Sequence, residues 1–276
     1  MASSAEVVPV GGALPPLVQD IEAAQRRNTI GFRIRFFITW AVTVALVIAL
    51  VAIGAHPNPR FHLEEWLPFI LGGVWMTLFL SVTSIAFAVV LAIFGALGRL
   101  SANPVFNGLA SLYVSLVRGT PLIVQILFIF LGLPAVGIVV PDVPTGIIAL
   151  SFNYGAYLTE VFRAGIQAVP HGQVEAARSL GLPERQVLRR VILPQAIRIV
   201  TPAVANDFIA MTKDSALISV IGVEELLRRA QEAGRPYVAT FQTVAVAAAV
   251  YWIMTMILSL FQARLERRMA AGDRKR

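Results

Sequence analysis

Residues 170–196 read PHGQVEAARSLGLPERQVLRRVILPQA, a charged island between two apolar stretches. Residues 173–180 have the composition of a short helix, Gly181 suits the left-handed position that ends one, and Pro183 suits the first turn of the next, which runs to Ile192. The pattern predicts a helix, a tight turn and a second helix. In that second helix Val187, Leu188, Val191 and Ile192 point towards a membrane or a partner, and Glu184, Arg185, Arg189 and Arg190 towards water. A solvated amphipathic surface helix has the same spacing, so the pattern by itself leaves both readings open.

The stretches on either side settle the solvent. Of 276 residues, 57% are hydrophobic and 14% charged, and the mean hydropathy is +0.73, values that place the chain in lipid. Besides 144–163 and 199–223, candidate spans cover 36–55, 67–97, 121–140 and 238–263, each near or above the roughly 20 residues a helix needs to cross hydrocarbon. The second is long enough to tilt or to run on past the bilayer. Residues 103–118 are only moderately apolar and Pro104 can open a helix, which predicts an interfacial segment there. In the first 30 residues Gly11, Gly12, Pro15 and Pro16 interrupt the one apolar run, so a flexible tail is expected in place of a signal peptide.

Six spans put both termini on one side. With the N-terminus in the cytoplasm, 18 of the 23 basic residues fall in cytoplasmic segments, four (Arg60, Arg228, Arg229 and Arg235) fall outside, and Lys213 lies within a span. The positive-inside rule favours that orientation. It also accounts for the net charge of +7 without nucleic acid, because the arginines are scattered over juxtamembrane loops with no aromatic platform among them.

Other chemistries find no residues to carry them. The chain has no cysteine, hence no disulfide or thiolate. Of its two lysines, Lys213 lies between Thr212 and Asp214 and Lys275 between two arginines, so neither ends a phosphate-binding loop. His56, His62 and His171 lie in predicted loops without metal-ligand spacing. No G-x-S-x-G elbow occurs.

The loop resembles the EAA loop of bacterial importers of the ATP-binding-cassette (ABC) class: Glu175, Ala176 and Ala177, then Gly181, then Val191-x-Leu193-Pro194, with Val191 where the family usually has Ile. Val117-Arg118-Gly119-Thr120-Pro121-Leu122 with Gln125, Gly132-Leu133-Pro134 and Leu193-Pro194-Gln195-Ala196 are similar to the polar amino-acid permeases of the histidine, glutamine, glutamate and arginine group. The resemblance covers about 67–268. It implies an all-α, polytopic membrane bundle of the MetI-like type, with about five core helices plus one extra N-terminal helix. The expected organisation is a cytoplasmic tail (1–34), the extra helix (35–55), the permease domain (67–268) and a basic cytoplasmic tail (269–276). It further implies a multi-pass protein of the bacterial inner membrane, with separate ABC ATPase subunits, a second permease subunit and an external amino-acid-binding protein as partners. ATP and magnesium would be bound by the ATPase, and this chain would hold no cofactor.

Polar groups inside a span are costly and mark functional candidates. The fifth span carries Asn206, Asp207, Lys213, Asp214 and Ser215. Asn206 with Lys213, and Asp207 with Asp214, are seven apart and return to nearly the same helical face. Such a stripe offers partners to both ends of an amino-acid zwitterion, or pairs internally. Residues 213–217 resemble the family's Lys-Asp-Thr-Ser-Leu stretch, with Ala216 lacking a hydroxyl. In the fourth span, Asn153, Tyr154, Tyr157 and Glu160 form a second polar face, and Glu160 with Arg163 predicts an ion pair. A transporter driven by an ion gradient is the alternative that the intramembrane acids alone allow.

Overall fold

Residues 31–32, 34–46 and 61–273 are described by a computed structural model, and every regular element among them is helical. Two compact units divide the chain near residue 56. The first contributes helix α1 (Ile34–Leu46), apolar and shorter than a span, with Phe32 stacked on Phe36. The expected tail before residue 31, the second half of the expected extra helix (47–55) and residues 274–276 lie outside the described residues.

The second unit begins with α2 (Leu63–Leu100). At about 1.5 Å per residue, its 38 residues exceed the bilayer's hydrocarbon thickness. Glu64 and Glu65 in its first turn and Arg99 in its last complement the helix dipole. Apart from Ile70 and Leu80, its buried residues are Gly73, Thr77, Ser81, Ser84, Ala88, Ala92 and Ala96, one small residue every three or four positions. Most of this seam lies against α5 (Asp142–Gln167), the most extensive helix contact among the described residues, and its Gly73 end lies against the backbone at Leu226. Small side chains let two backbones approach closely where lipid offers no hydrophobic drive to association. A Cβ added at Gly95 would collide with Thr159 Oγ1. Two of the seam's hydroxyls bond within their own helices, Ser81 to the Thr77 carbonyl at 2.7 Å and Thr159 to the Gly155 carbonyl at 2.8 Å, while the buried Ser84 Oγ has no hydrogen-bond partner.

Helix α3 (Pro104–Arg118) is opened by Pro104 and capped by Asn103, whose Oδ1 accepts from the Val105 amide at 2.9 Å. Its exposed apolar residues recur as Val105, Leu109, Leu112 and Leu116, along one side of the helix. Gly119, Thr120 and Pro121 then turn the chain by 108° into α4 (Leu122–Ala135). Pro121 has no amide hydrogen with which to continue the first helix.

After the 170–196 loop come α8 (Leu193–Asp214), a 3-10 segment (Ser215–Ile221) and α9 (Leu226–Gly234). A 3-10 turn (Arg235–Tyr237) leads into α10 (Thr240–Asp273). By length and apolarity alone, α2 and residues Thr240–Met269 qualify as spans, and the bent α3–α4 pair can form a third. Helix α5 covers the predicted fourth span and α8 the predicted fifth only as far as Asp214, the rest of 199–223 falling in the 3-10 segment and the turn after it; both helices have crossing length but are more polar. On α5 that polarity points inward: Thr145, Ser151, Asn153, Tyr154 and Thr159 are buried.

One hydrophobic cluster joins α2, α4, α5 and α8 around Leu80, Ile126, Leu150, Leu158 and Met211. A second joins α2, α9 and α10 around Ile70, Leu226, Ala230 and Met254. Gly73 makes the α2–α9 contact possible, since a Cβ there would meet the Leu226 Cα at 2.6 Å, backbone that cannot swing aside. Gly73→Val should therefore lower the melting temperature of the purified protein, by an overpacking cost of about 1–3 kcal/mol. Gly108→Ala, which has open space around it, should leave it unchanged or slightly higher; a thermal scan in detergent reads both.

Candidate functional site

Two regions stand out from the apolar scaffold: the 170–196 loop and a polar cavity between α4, α5 and α8. In the loop, α6 (His171–Ser179) ends at Gly181, whose φ is +73°. The Gly181 amide donates to the Arg178 carbonyl at 2.8 Å and the Leu182 amide to the Ala177 carbonyl at 3.3 Å. This paired closure is a Schellman motif, and its left-handed residue is one that a Cβ would strain. Pro183 then caps α7 (Glu184–Val187), which continues through a π-helical turn (Leu188–Ile192) into α8.

Three contacts hold the loop as one piece. Arg178 pairs with Glu184 through Nε at 2.7 Å, Gln195 donates to Gln173 Oε1 at 2.6 Å, and Val187 is buried. Hydrogen bonding to Arg178 holds the Glu184 carboxyl below its ordinary range, and the same bond raises the Arg178 guanidinium. The clasp is complete at neutral pH and is lost as pH falls through that lowered value. Glu175, Ala176 and Gly181 are exposed and Leu180 is 80% exposed, while Ala177 is 5% exposed. The two alanines thus differ: Ala177 packs within the loop and Ala176 faces outward. Leu193 and Pro194, also exposed, begin α8.

The cavity, of about 370 Å³, is lined by Thr120, Pro121, Leu122, Asn153, Tyr154, Tyr157, Asp207, Ala210 and Asp214. Gln125 fastens the α3–α4 bend beside it. Its Nε2 donates to the Val117 carbonyl at 2.8 Å and to the Thr120 carbonyl at 3.1 Å, and its Oε1 accepts from Asn153 Nδ2 at 3.1 Å. Tyr154 donates to Asp214 Oδ2 at 2.7 Å. The Arg118 guanidinium sits over the Tyr157 ring, 5.3 Å from its centre. Arg118, Gly119, Thr120, Pro121 and Gln125 thereby form a structural corner that places Thr120 and Pro121 in the cavity wall.

The residues singled out on the fifth span separate. Asp207 and Asp214 share the cavity. Lys213 faces a different hollow of about 500 Å³, beside Tyr251 and Trp252. Asn206 is exposed and lines neither. Ser215 is buried and donates to the Thr212 carbonyl at 2.8 Å. On the fourth span, Glu160 bonds Arg163 at 2.7 Å, as its spacing predicts, and also Arg99 of α2 at 3.0 Å.

Sequence reasoning overlooked Glu225. Its side chain is 0% exposed and caps α9 by accepting from the Leu227 and Arg228 amides at 2.9 and 2.7 Å. Tyr251 of α10 donates to the same carboxylate, and the Leu226 amide donates to Thr77 Oγ1 of α2 at 3.3 Å. A capping acid before Leu226-Leu227 was the available signal.

Residues 88–271 match the family described as "Binding-protein-dependent transport system inner membrane component", and the chain belongs to that family. The L-cystine transport system permease protein TcyB of Bacillus subtilis (strain 168) is 41% identical over 75% of this chain and 88% of its own length. The arginine transport system permease protein ArtQ of the same organism is 36% identical over 75% and 95%. Among solved structures, an amino acid ABC transporter shares 40% identity with a TM-score of 0.72, covering 75% of this chain and 96% of that one. The MetNI methionine ABC transporter, at 20% identity and a TM-score of 0.64 over 75% and 98%, shares the fold.

Replacing Gln125 by Leu strips the Val117 and Thr120 carbonyls of their side-chain donor and leaves Asn153 without its acceptor. The expected cost is about 1–3 kcal/mol, read as a lower melting temperature. Tyr154→Phe, which leaves the half-buried Asp214 acceptor beside a cavity that can hydrate it, should cost less.

Proposed function

We propose that this permease forms the path for an amino acid, polar or charged, across the bacterial inner membrane, driven by ABC ATPase subunits that dock on residues 170–196. The observation that carries the reading is the closed helix–turn–helix of the loop. Its Schellman turn, Arg178–Glu184 clasp and direct run into α8 link Gly181 and Leu180 to Asp207 and Asp214 through continuous helix, with a π turn and Pro202 on the way. The ATPase would bind ATP and magnesium; this chain would hold neither. A second permease subunit would supply the other half of the path and an external amino-acid-binding protein would deliver the substrate. Both termini would face the cytoplasm.

The cavity supports the substrate side of the reading. It combines carboxylates, tyrosine hydroxyls and an amide, groups that can replace the water an amino acid sheds on leaving solution. Closure of the ATPase pair would rock the bundle between inward- and outward-facing states.

Gly181→Asp is the direct test. No neighbour lies within 4 Å of a Cβ at this position, so the change strains the left-handed turn by about 1–2 kcal/mol and adds a charge to the docking face without a clash. The protein should remain in the membrane while co-purifying ATPase and ATP hydrolysis fall at least tenfold. Unchanged recovery of the ATPase with full activity would reject docking here. Separately, Asp207→Asn and Asp214→Asn should lower uptake with the ATPase still bound; normal uptake in both would remove the acids from the path.

A further inference from the structure

Helix α7 and the π-helical turn together carry a charge cluster that docking at Gly181 does not explain. Arg185, Arg189 and Arg190, with Gln186, line a recess of about 390 Å³. None of the three is ion-paired among the described residues, because the neighbouring carboxylate, Glu184, is held by Arg178. One turn further on, α8 becomes one wall of an apolar groove of about 350 Å³, closed on its other sides by α2 and α5. Leu193, Ile197, Val200 and Val204 of α8 face Ile93 and Phe162 across it, and no charged residue lines it. Arg189, Leu193 and Ile197 recur every four residues, so the arginine cluster and the groove lie on one continuous helical face.

The dimensions fit a lipid. From Leu193 to Val204 the helix rises about 16 Å at 1.5 Å per residue, close to the roughly 15 Å of one leaflet's hydrocarbon. Three guanidiniums sit where a headgroup lies, and an acyl-length apolar channel begins directly beyond them. A water-soluble acidic partner would satisfy the arginines and leave the groove unfilled. We infer that an anionic phospholipid of the adjacent leaflet occupies this site, its phosphate held by Arg185, Arg189 and Arg190 and one acyl chain laid along α8. The lipid couples headgroup charge to the segment that joins the loop to the cavity helix.

The test uses the complex purified in mild detergent, washed free of lipid and exposed to vesicles of phosphatidylglycerol and phosphatidylcholine in equal amounts, with retained lipid counted by mass spectrometry. Wild type should retain phosphatidylglycerol in preference to phosphatidylcholine by about tenfold or more. At about fivefold per arginine near a membrane surface, Arg189→Gln with Arg190→Gln should erase most of that preference, whereas the double Lys variant should keep it. Ile197→Trp, which fills the groove with every arginine in place, should also lower retention while gel filtration shows the complex intact. Equal retention of the two lipids by wild type, or an unchanged preference in both the Gln and Trp variants, would overturn the site. Loss of the ATPase from the Gln variant with its lipid preference unchanged would assign the arginines to the partner protein. Dissociation of the Trp variant with its preference unchanged would assign the groove to a protein interface.

Discussion

The close approach of α2 and α5 is the constraint on which the rest of the molecule depends. Lipid tails are as apolar as leucine, so helices in a bilayer gain little from burying leucine against leucine. They gain from fit, and the run of Gly, Ala, Ser and Thr along α2 provides it. With the two backbones in contact, Arg99 reaches Glu160, α4 can lie across α5, and α8 can close the cavity against Tyr154. Bulk placed anywhere along that seam would push apart the elements that hold the polar groups.

Those polar groups obey a second constraint, because an unmet donor or acceptor in hydrocarbon is expensive. Most have a fixed partner: Gln125 with two carbonyls and Asn153, Glu225 with two amides and Tyr251, Ser215 with the Thr212 carbonyl. Glu225 and Gln125 therefore behave as fasteners, one for α9 and one for the α3–α4 corner. Asp207 and Asp214 differ in lining a cavity, with Asp214 held by a single tyrosine. The distinction between fastener and cavity wall decides which polar residues are free to meet a solute.

Local features were legible in the sequence. Gly181 and Pro183 announced the turn of the loop, Pro104 the start of α3, and Glu160 with Arg163 an ion pair, because each is a local feature or a relation between residues a few positions apart. The all-α membrane class and the family were legible for the same reason, in apolar runs and short motifs. What was hidden joins distant positions: Asn153 to Gln125, 28 residues apart, and Tyr154 to Asp214, 60 apart. Helical periodicity placed Asp207 with Asp214, but it could not tell that Lys213, one residue away, opens onto another hollow. Which face of α8 meets α5 is set by packing against the seam, and no local spacing encodes it. The π-helical turn was hidden too, since Pro194, which follows it and cannot donate to the Arg190 carbonyl, reads equally well as the start of a new helix.

A long helix that joins an exposed, braced loop to two carboxylates suits a device worked from outside the membrane by a separate motor. The most direct measurement is uptake by the complex reconstituted in liposomes, with ATP supplied only on the side that the 170–196 loop faces and a protonophore present. Uptake that requires ATP on that side and survives collapse of the proton gradient is the result expected. Uptake without ATP that the protonophore abolishes would contradict the account and assign the intramembrane acids to gradient-driven transport.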